Sequence, residues 1–176
     1  MQFPLPSRKI HPDAFFAEYL PSLWEILSSD NLIPDWEFEV EVCLQNKSGA
    51  QRTYSLHIFD GKFGCEIQTS AAPIAVIHTP LFAWRQFITG VLPLILRHAN
   101  EHPNRLREDF KHLVLSSKKK FDPARIEYLP GKVELLYTDD AGDLLQAVAT
   151  IGNGNGPKAT VQMNEATLFR VLKMGS

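Results

Sequence analysis

Across residues 36–45 apolar and polar side chains alternate without interruption. Trp36, Phe38, Val40, Val42 and Leu44 alternate with Glu37, Glu39, Glu41 and Cys43. A period of two predicts a strand with one dry and one wet face. Asn46-Lys47-Ser48-Gly49 supplies a turn. Residues 52–59 alternate again, with Tyr54, Leu56 and Ile58 facing inward. Asp60-Gly61 is a two-residue hairpin signal, and the next strand carries Phe63, Cys65 and Ile67. The apolar run 74–78 then feeds Thr79-Pro80, expected as the N-cap and first residue of a helix.

The period changes to that of a helix on both sides of these strands. From Pro12 to about residue 29, Phe16, Leu20, Leu23 and Leu27 form one stripe; Phe15, Tyr19 and Ile26 lie beside it and Trp24 adds a third row. Pro21 is expected to kink this helix. The helix after Pro80 is expected to break at Gly90 and Pro93, with a second apolar piece to about Asn100. Beyond His102-Pro103, residues 104–120 read as a helix with Leu106, Phe110, Leu113 and Val114 on one face, and residues 121–131 as a loop or short extended piece. Residues 132–163 read as three strands, turned by Asp139-Asp140-Ala141-Gly142 and by Gly152-Asn153-Gly154-Asn155-Gly156-Pro157. Asn164 is expected to cap a last helix, with Glu165 in its first turn.

The order strand, cap, amphipathic helix, glycine occurs at residues 76–90 and again at 161–175, although only Val, Arg and Gly match across the pair. The reading is an α+β protein, a single compact domain over residues 1–176. It contains a degenerate internal repeat: unit one at about 12–98 and a shorter unit two at about 104–176. A chain of 176 residues can bury a core without staples. With a net charge of −2, nothing in the charge balance points to nucleic acid or an anionic membrane surface, and no nucleic-acid partner is expected. Two cysteines cannot form a disulfide framework. The N-terminal residues lack the apolar core of a signal peptide, and the most apolar stretch, at 91–96, is too short to span a bilayer. The expectation is a cytoplasmic protein with no transmembrane segment.

The hairpin, strand and helix in "WEFEVEVCLQ", "RTYSLHIFDGKFG" and "AVIHTPLFAWRQFITG", echoed by "KVELLYTDDAGDLLQAVATI" and "KATVQMNEATLFRVLKMG", resemble the sterol carrier protein 2 family. Phe87 and Gly90 fit that family's buried aromatic and closing glycine in the first unit, and Leu172 and Gly175 fit them in the second. The resemblance covers about residues 12–98 and 125–176. It departs from the family pattern after Gly90, where about forty residues intervene before "PGKVELLY". The resemblance implies a mostly antiparallel sheet of five or more strands covered by helices, with an apolar tunnel between the layers. It also implies a ligand such as a lipid, an acyl-CoA or a sterol-like molecule.

On that reading Phe82, Trp84, Phe87, Ile88, Val91, Leu92 and Ile95, with Phe16 and Leu20, are the candidate cavity lining. No catalytic residue, cofactor or metal is assigned, and the protein is expected not to be an enzyme. His98 and His102 stand four apart, but zinc would need a third ligand, and the order of "HANEH" is not that of His-Glu-x-x-His. His57 is expected at the surface, and His78 is a candidate polar group of a pocket. Glu37, Glu39 and Glu41 are expected to be solvated on a wet strand face, or paired with Arg52 of the neighbouring strand. Cys43 and Cys65 read as small half-buried residues, residues 152–156 as a flexible turn, and Lys118–Lys120 as a solvated helix end. The alternative function is an interaction module that forms a homodimer through its apolar helices and has a filled core; a third, weaker reading is an enzyme that uses His98 and His102 with a metal.

Overall fold

The computed structural model describes residues 2–28, 37–70, 72–104, 108, 130–138 and 142–174. Trp36, most of the helix expected over 104–120, the Lys118–Lys120 run and Gly175 lie outside the described residues, as does the side chain of Leu172.

Among the described residues seven strands form one sheet: β1 Phe38–Gln45, β2 Gln51–Phe59, β3 Lys62–Glu66, β4 Ala75–Pro80, β5 Gly131–Thr138, β6 Leu144–Ile151 and β7 Lys158–Asn164. Their order is β3-β2-β1-β4-β6-β5-β7. Four neighbouring pairs are antiparallel; β1 with β4 and β5 with β7 are parallel. The second half therefore joins the first sheet, through the β4–β6 pairing. In each half a hairpin's first strand takes a parallel neighbour that runs directly into a helix.

The turns follow from local chemistry. Asp60 and Gly61 both have positive φ, 51° and 68°, as a two-residue hairpin with the strands' own twist requires. Asn46 closes the β1–β2 turn by accepting from the Ser48 and Ala50 backbone amides.

Helices cover one face of the sheet. The first runs as α1 Pro12–Ala14, a π-helical turn Phe15–Tyr19 and α2 Leu20–Ser28. The next runs as α3 Leu81–Gln86, a π-helical turn Phe87–Val91 and α4 Leu92–Glu101; α5 is Glu165–Met174. Both π turns are written by one pattern, Phe-x-x-x-x-Leu-Pro, at residues 15–21 and 87–93. The Leu20 amide bonds to the Phe15 carbonyl, and the Leu92 amide to the Phe87 carbonyl, each five residues back. A proline inside an α-helix clashes with the carbonyl four residues earlier and lacks the N–H to bond it. The widened turn just before each proline accommodates both defects.

This corrects the sequence reading at Gly90 and Pro93. Neither breaks the helix, and Gly90 sits mid-helix with open space where a Cβ would point. Thr79 is likewise not a cap: β4 extends through Pro80, which stands at the N-cap position, and the Thr79 hydroxyl donates to the Gln146 carbonyl. Asn164 does cap α5, accepting from the Thr167 amide at 2.8 Å.

The core forms where α1, α2, α3 and α4 meet β1 and β2. Phe15, Phe16, Val42, Leu44, Tyr54, Trp84 and Ile88 pack together. A second cluster joins Ala83 and Val91 to Tyr137, Leu145 and Leu168, and a third joins Phe3, Leu23, Leu96 and Ala99.

Two glycines separate the readings. Gly90→Ala is expected to stabilise the protein by about 0.5–1 kcal/mol, because an exposed mid-helix glycine loses only entropy there; at a helix stop the same change would destabilise. At Gly156 a Cβ would lie 1.5 Å from the Pro130 carbonyl oxygen, so this residue serves close approach rather than flexibility. Gly156→Ala is expected to cost about 1–3 kcal/mol. Thermal melts of both variants, shifting in opposite directions, check this.

Candidate functional site

The register divides the nine apolar candidates. Phe16, Trp84 and Ile88 are 2–6% exposed and interlock with Phe15 and Tyr54. The Phe16 ring stacks on Tyr54 at 4.3 Å, and Phe15 meets Trp84 edge-on at 5.4 Å. Leu20 and Leu92 pack against this cluster and the third one. Val91 is buried and Ile95 half-buried in the second cluster. Phe82 and Phe87 are exposed, at 53% and 38%. None of the nine lines any of the three grooves described below. Buried Trp84 leaves its indole N–H without a hydrogen-bond partner, a cost of about 1–3 kcal/mol unless water or a ligand oxygen meets it.

Toward the C-terminal half the helix-side face of the sheet opens. Cross-strand register sets its side chains in rows: Tyr137, Leu145 and Met163; then Leu135, Ala147 and Val161; then Val133, Ala149 and Ala159. Leu168 of α5 packs on the first row, together with Ala83 and Val91. In the second row Leu135 is 37% and Val161 43% exposed, and in the third Ala159 is exposed. These rows form an apolar surface on the side of the sheet where the helices lie.

Polar groups gather in three places. A groove of about 280 Å³ near the start of α1 and α3 is floored by Pro12, Leu44 and Leu81 and rimmed by His11, Arg52 and Arg85. Arg52 pairs with Asp13, which also accepts from the Tyr54 hydroxyl at 2.7 Å. Burial pushes the Tyr54 phenol well above its usual range, and the Asp13 carboxylate adds to the shift. A groove of about 170 Å³ on the opposite face of the sheet is lined by Cys43, His78, Thr79 and Gln146, among others. Burial also raises the Cys43 thiol, and lifts Cys65 to about 11. The third place is a groove of about 530 Å³ between Phe3–Leu5 and the α4 residues Arg97, Asn100 and Glu101. Beside it, His98, Glu101 and His102 hold their ligand atoms within 4.8 Å of one another.

The glutamate row is corrected here. Glu41 is 6% exposed, accepting from the Ser70 amide at 2.9 Å and the Cys43 thiol at 3.4 Å. The β3-to-β4 connection brings Ser70 to the wet face, which the strand pattern could not reveal. Arg52 cannot pair with these glutamates, because it stands opposite Leu44 on the helix side. His57 is half-buried and packs over Gly64, where a Cβ would come 2.2 Å from its Nε2. The sequence reading set Glu101 aside because the order of this segment is not His-Glu-x-x-His. Its signal was available: His-x-x-Glu-His is the reversed form of His-Glu-x-x-His.

No family model and no curated protein matches the chain. Among solved structures, a conserved hypothetical protein of Thermus thermophilus, itself suggested to be a sterol carrier protein, aligns at a TM-score of 0.37 and 14% identity. The match covers 66% of this chain and 94% of that one. That likeness is too low to transfer a fold or a function. Among the described residues no helix is long and apolar enough to cross a membrane.

The Ser55 hydroxyl donates to Glu39; this bond, with further help from Ser70, holds the Glu39 carboxyl below its ordinary value. A lowered folded value stabilises the protein above the ordinary carboxylate range, and that contribution is lost as pH falls through the lowered value. Ser55→Ala is therefore expected to cost about 1.5–3 kcal/mol at pH 7. The gap in urea midpoint between variant and parent is expected to narrow in acid, below the folded Glu39 value.

Proposed function

We propose that the chain binds a long apolar molecule, a lipid, acyl-CoA or sterol-like compound, without performing chemistry on it. The observation that carries this reading is the open apolar surface of Leu135, Val161 and Ala159 on the helix side of β5 and β7. A sheet face flanked by helices is normally closed by them, and an exposed patch of this kind marks a ligand or partner site. Phe87, one turn from both Ala83 and Val91, supplies a further exposed apolar side chain near the same cluster. Each methylene removed from water contributes about 0.8 kcal/mol, so a tail covering eight of them gains roughly 6 kcal/mol before ordering costs. No catalytic group is needed for that. The resemblance noted from the sequence supports the same class of ligand.

The test is titration of delipidated protein with a fluorescent fatty acid. Saturable uptake is expected, reduced at least about tenfold by the double variant Leu135→Glu/Val161→Glu, a loss of about 1.4 kcal/mol. Uptake is expected to be unchanged by Ile67→Glu, a control at an exposed residue just beyond β3. No saturable uptake, or uptake indifferent to the double variant, would contradict the proposal. A dimer by light scattering that the double variant dissociates, with no uptake, would assign the face to a second copy of the chain.

A further inference from the structure

The last turn of α4 is held unusually firmly for a helix end. Asn100 clamps the N-terminal lead in both directions: its side-chain oxygen accepts from the Phe3 amide at 2.6 Å, and its side-chain amide donates to the Phe3 carbonyl at 2.9 Å. Leu96 and Ala99 are buried against Phe3 and Leu23. The His102 amide completes the turn on the His98 carbonyl at 3.0 Å, and Pro103 restricts the backbone of His102. Helix ends normally fray; this one is pinned by side-chain bonds on one flank and a hydrophobic cluster on the other.

His98 and Glu101 stand on that pinned turn and His102 is the residue that caps it, so three ligating side chains come together at spacing i, i+3 and i+4. The His98 and His102 rings lie 4.7 Å apart between centroids. One nitrogen from each, with a carboxylate oxygen of Glu101, falls within 4.8 Å of the others. Zinc takes nitrogen and oxygen ligands at about 2.0–2.2 Å, which needs ligand atoms roughly 3–4 Å apart. Side-chain rotation of exposed Glu101 and His102 is enough to close that difference.

We propose that His98, Glu101 and His102 form a binding site for a divalent first-row transition-metal ion of the zinc class. Two imidazoles and one carboxylate select against calcium and magnesium, which take oxygen ligands. Three protein ligands leave at least one coordination position open to water or an incoming donor, as in an open rather than a structural site. The Asn100–Phe3 clamp is the positioning device, because it fixes the turn that carries all three ligands. This site is separate from the apolar face of β5 and β7, and neither proposal depends on the other.

Tag-free protein titrated with zinc alone by calorimetry, and with cobalt alone by visible absorption, tests the assignment. One ion per chain is expected, with a cobalt ligand-field band. His98→Ala, His102→Ala and Glu101→Gln are each expected to weaken binding by at least about tenfold, and His98→Ala/His102→Ala to abolish it. His11→Ala and His57→Ala are expected to change nothing. Far-UV circular dichroism confirms that each variant is folded. No saturable uptake by the parent, or uptake that survives the double histidine variant, would overturn the site. Unchanged affinity in Glu101→Gln would overturn the three-ligand assignment.

Discussion

Phe16 lies nearly parallel to Tyr54, with ring centroids 4.3 Å apart, and the Tyr54 hydroxyl donates to Asp13 on the same helix. One fully buried tyrosine on β2 thus fixes the first helix by its ring and by its polar tip. Phe15 and Phe16 then present rings to Trp84, which brings the second long helix over the same part of the sheet. The rest of the architecture depends on this contact. Once both helices are committed to β1 and β2, the described residues that pack on the helix side of β5, β6 and β7 are Leu168 of α5 with Ala83, Val91 and Ile95 along one flank of the second long helix. The filled core at one end and the open face at the other are two consequences of one packing arrangement.

The fold was legible where physical chemistry acts locally. Strict alternation in β1 and β2 fixed which side chains face the helices: Val42 and Leu44 are buried opposite Tyr54 and Arg52. Asp60-Gly61 could be read as a hairpin, and Asn164 as a cap, because each is decided by its own backbone and immediate neighbours. The α+β class follows from the same signals. The joining of the two halves into one sheet was not legible, because the β4–β6 pairing links residues about seventy positions apart and no local signal encodes it.

The candidate site was less legible for the same reason. Apolar content marked Trp84, Ile88 and Phe16 as ligand contacts, yet these residues interlock with one another, and residue type does not distinguish a filled space from an empty one. Leu135 and Val161 fell inside segments read simply as strands; what exposes them is the distribution of helices over the sheet. Glu41 read as wet because its burial comes from Ser70, twenty-nine residues away. The π turns are a different case. Phe-x-x-x-x-Leu-Pro was present twice in the sequence; Pro21 was read as a kink and Pro93 as a break, whereas the helix absorbs each proline by adding a residue to the turn before it.

The central claim is that the helix side of the sheet is closed over β1 and β2 and open at Leu135 of β5 and at Val161 and Ala159 of β7. Methyl NMR with a soluble paramagnetic agent measures it most directly. The account predicts strong broadening of the Leu135 and Val161 methyls, while those of Val42, Leu44 and Ile88 are spared. Equal protection of both groups in the ligand-free monomer would contradict it, and would mean that the whole helix-side face is covered.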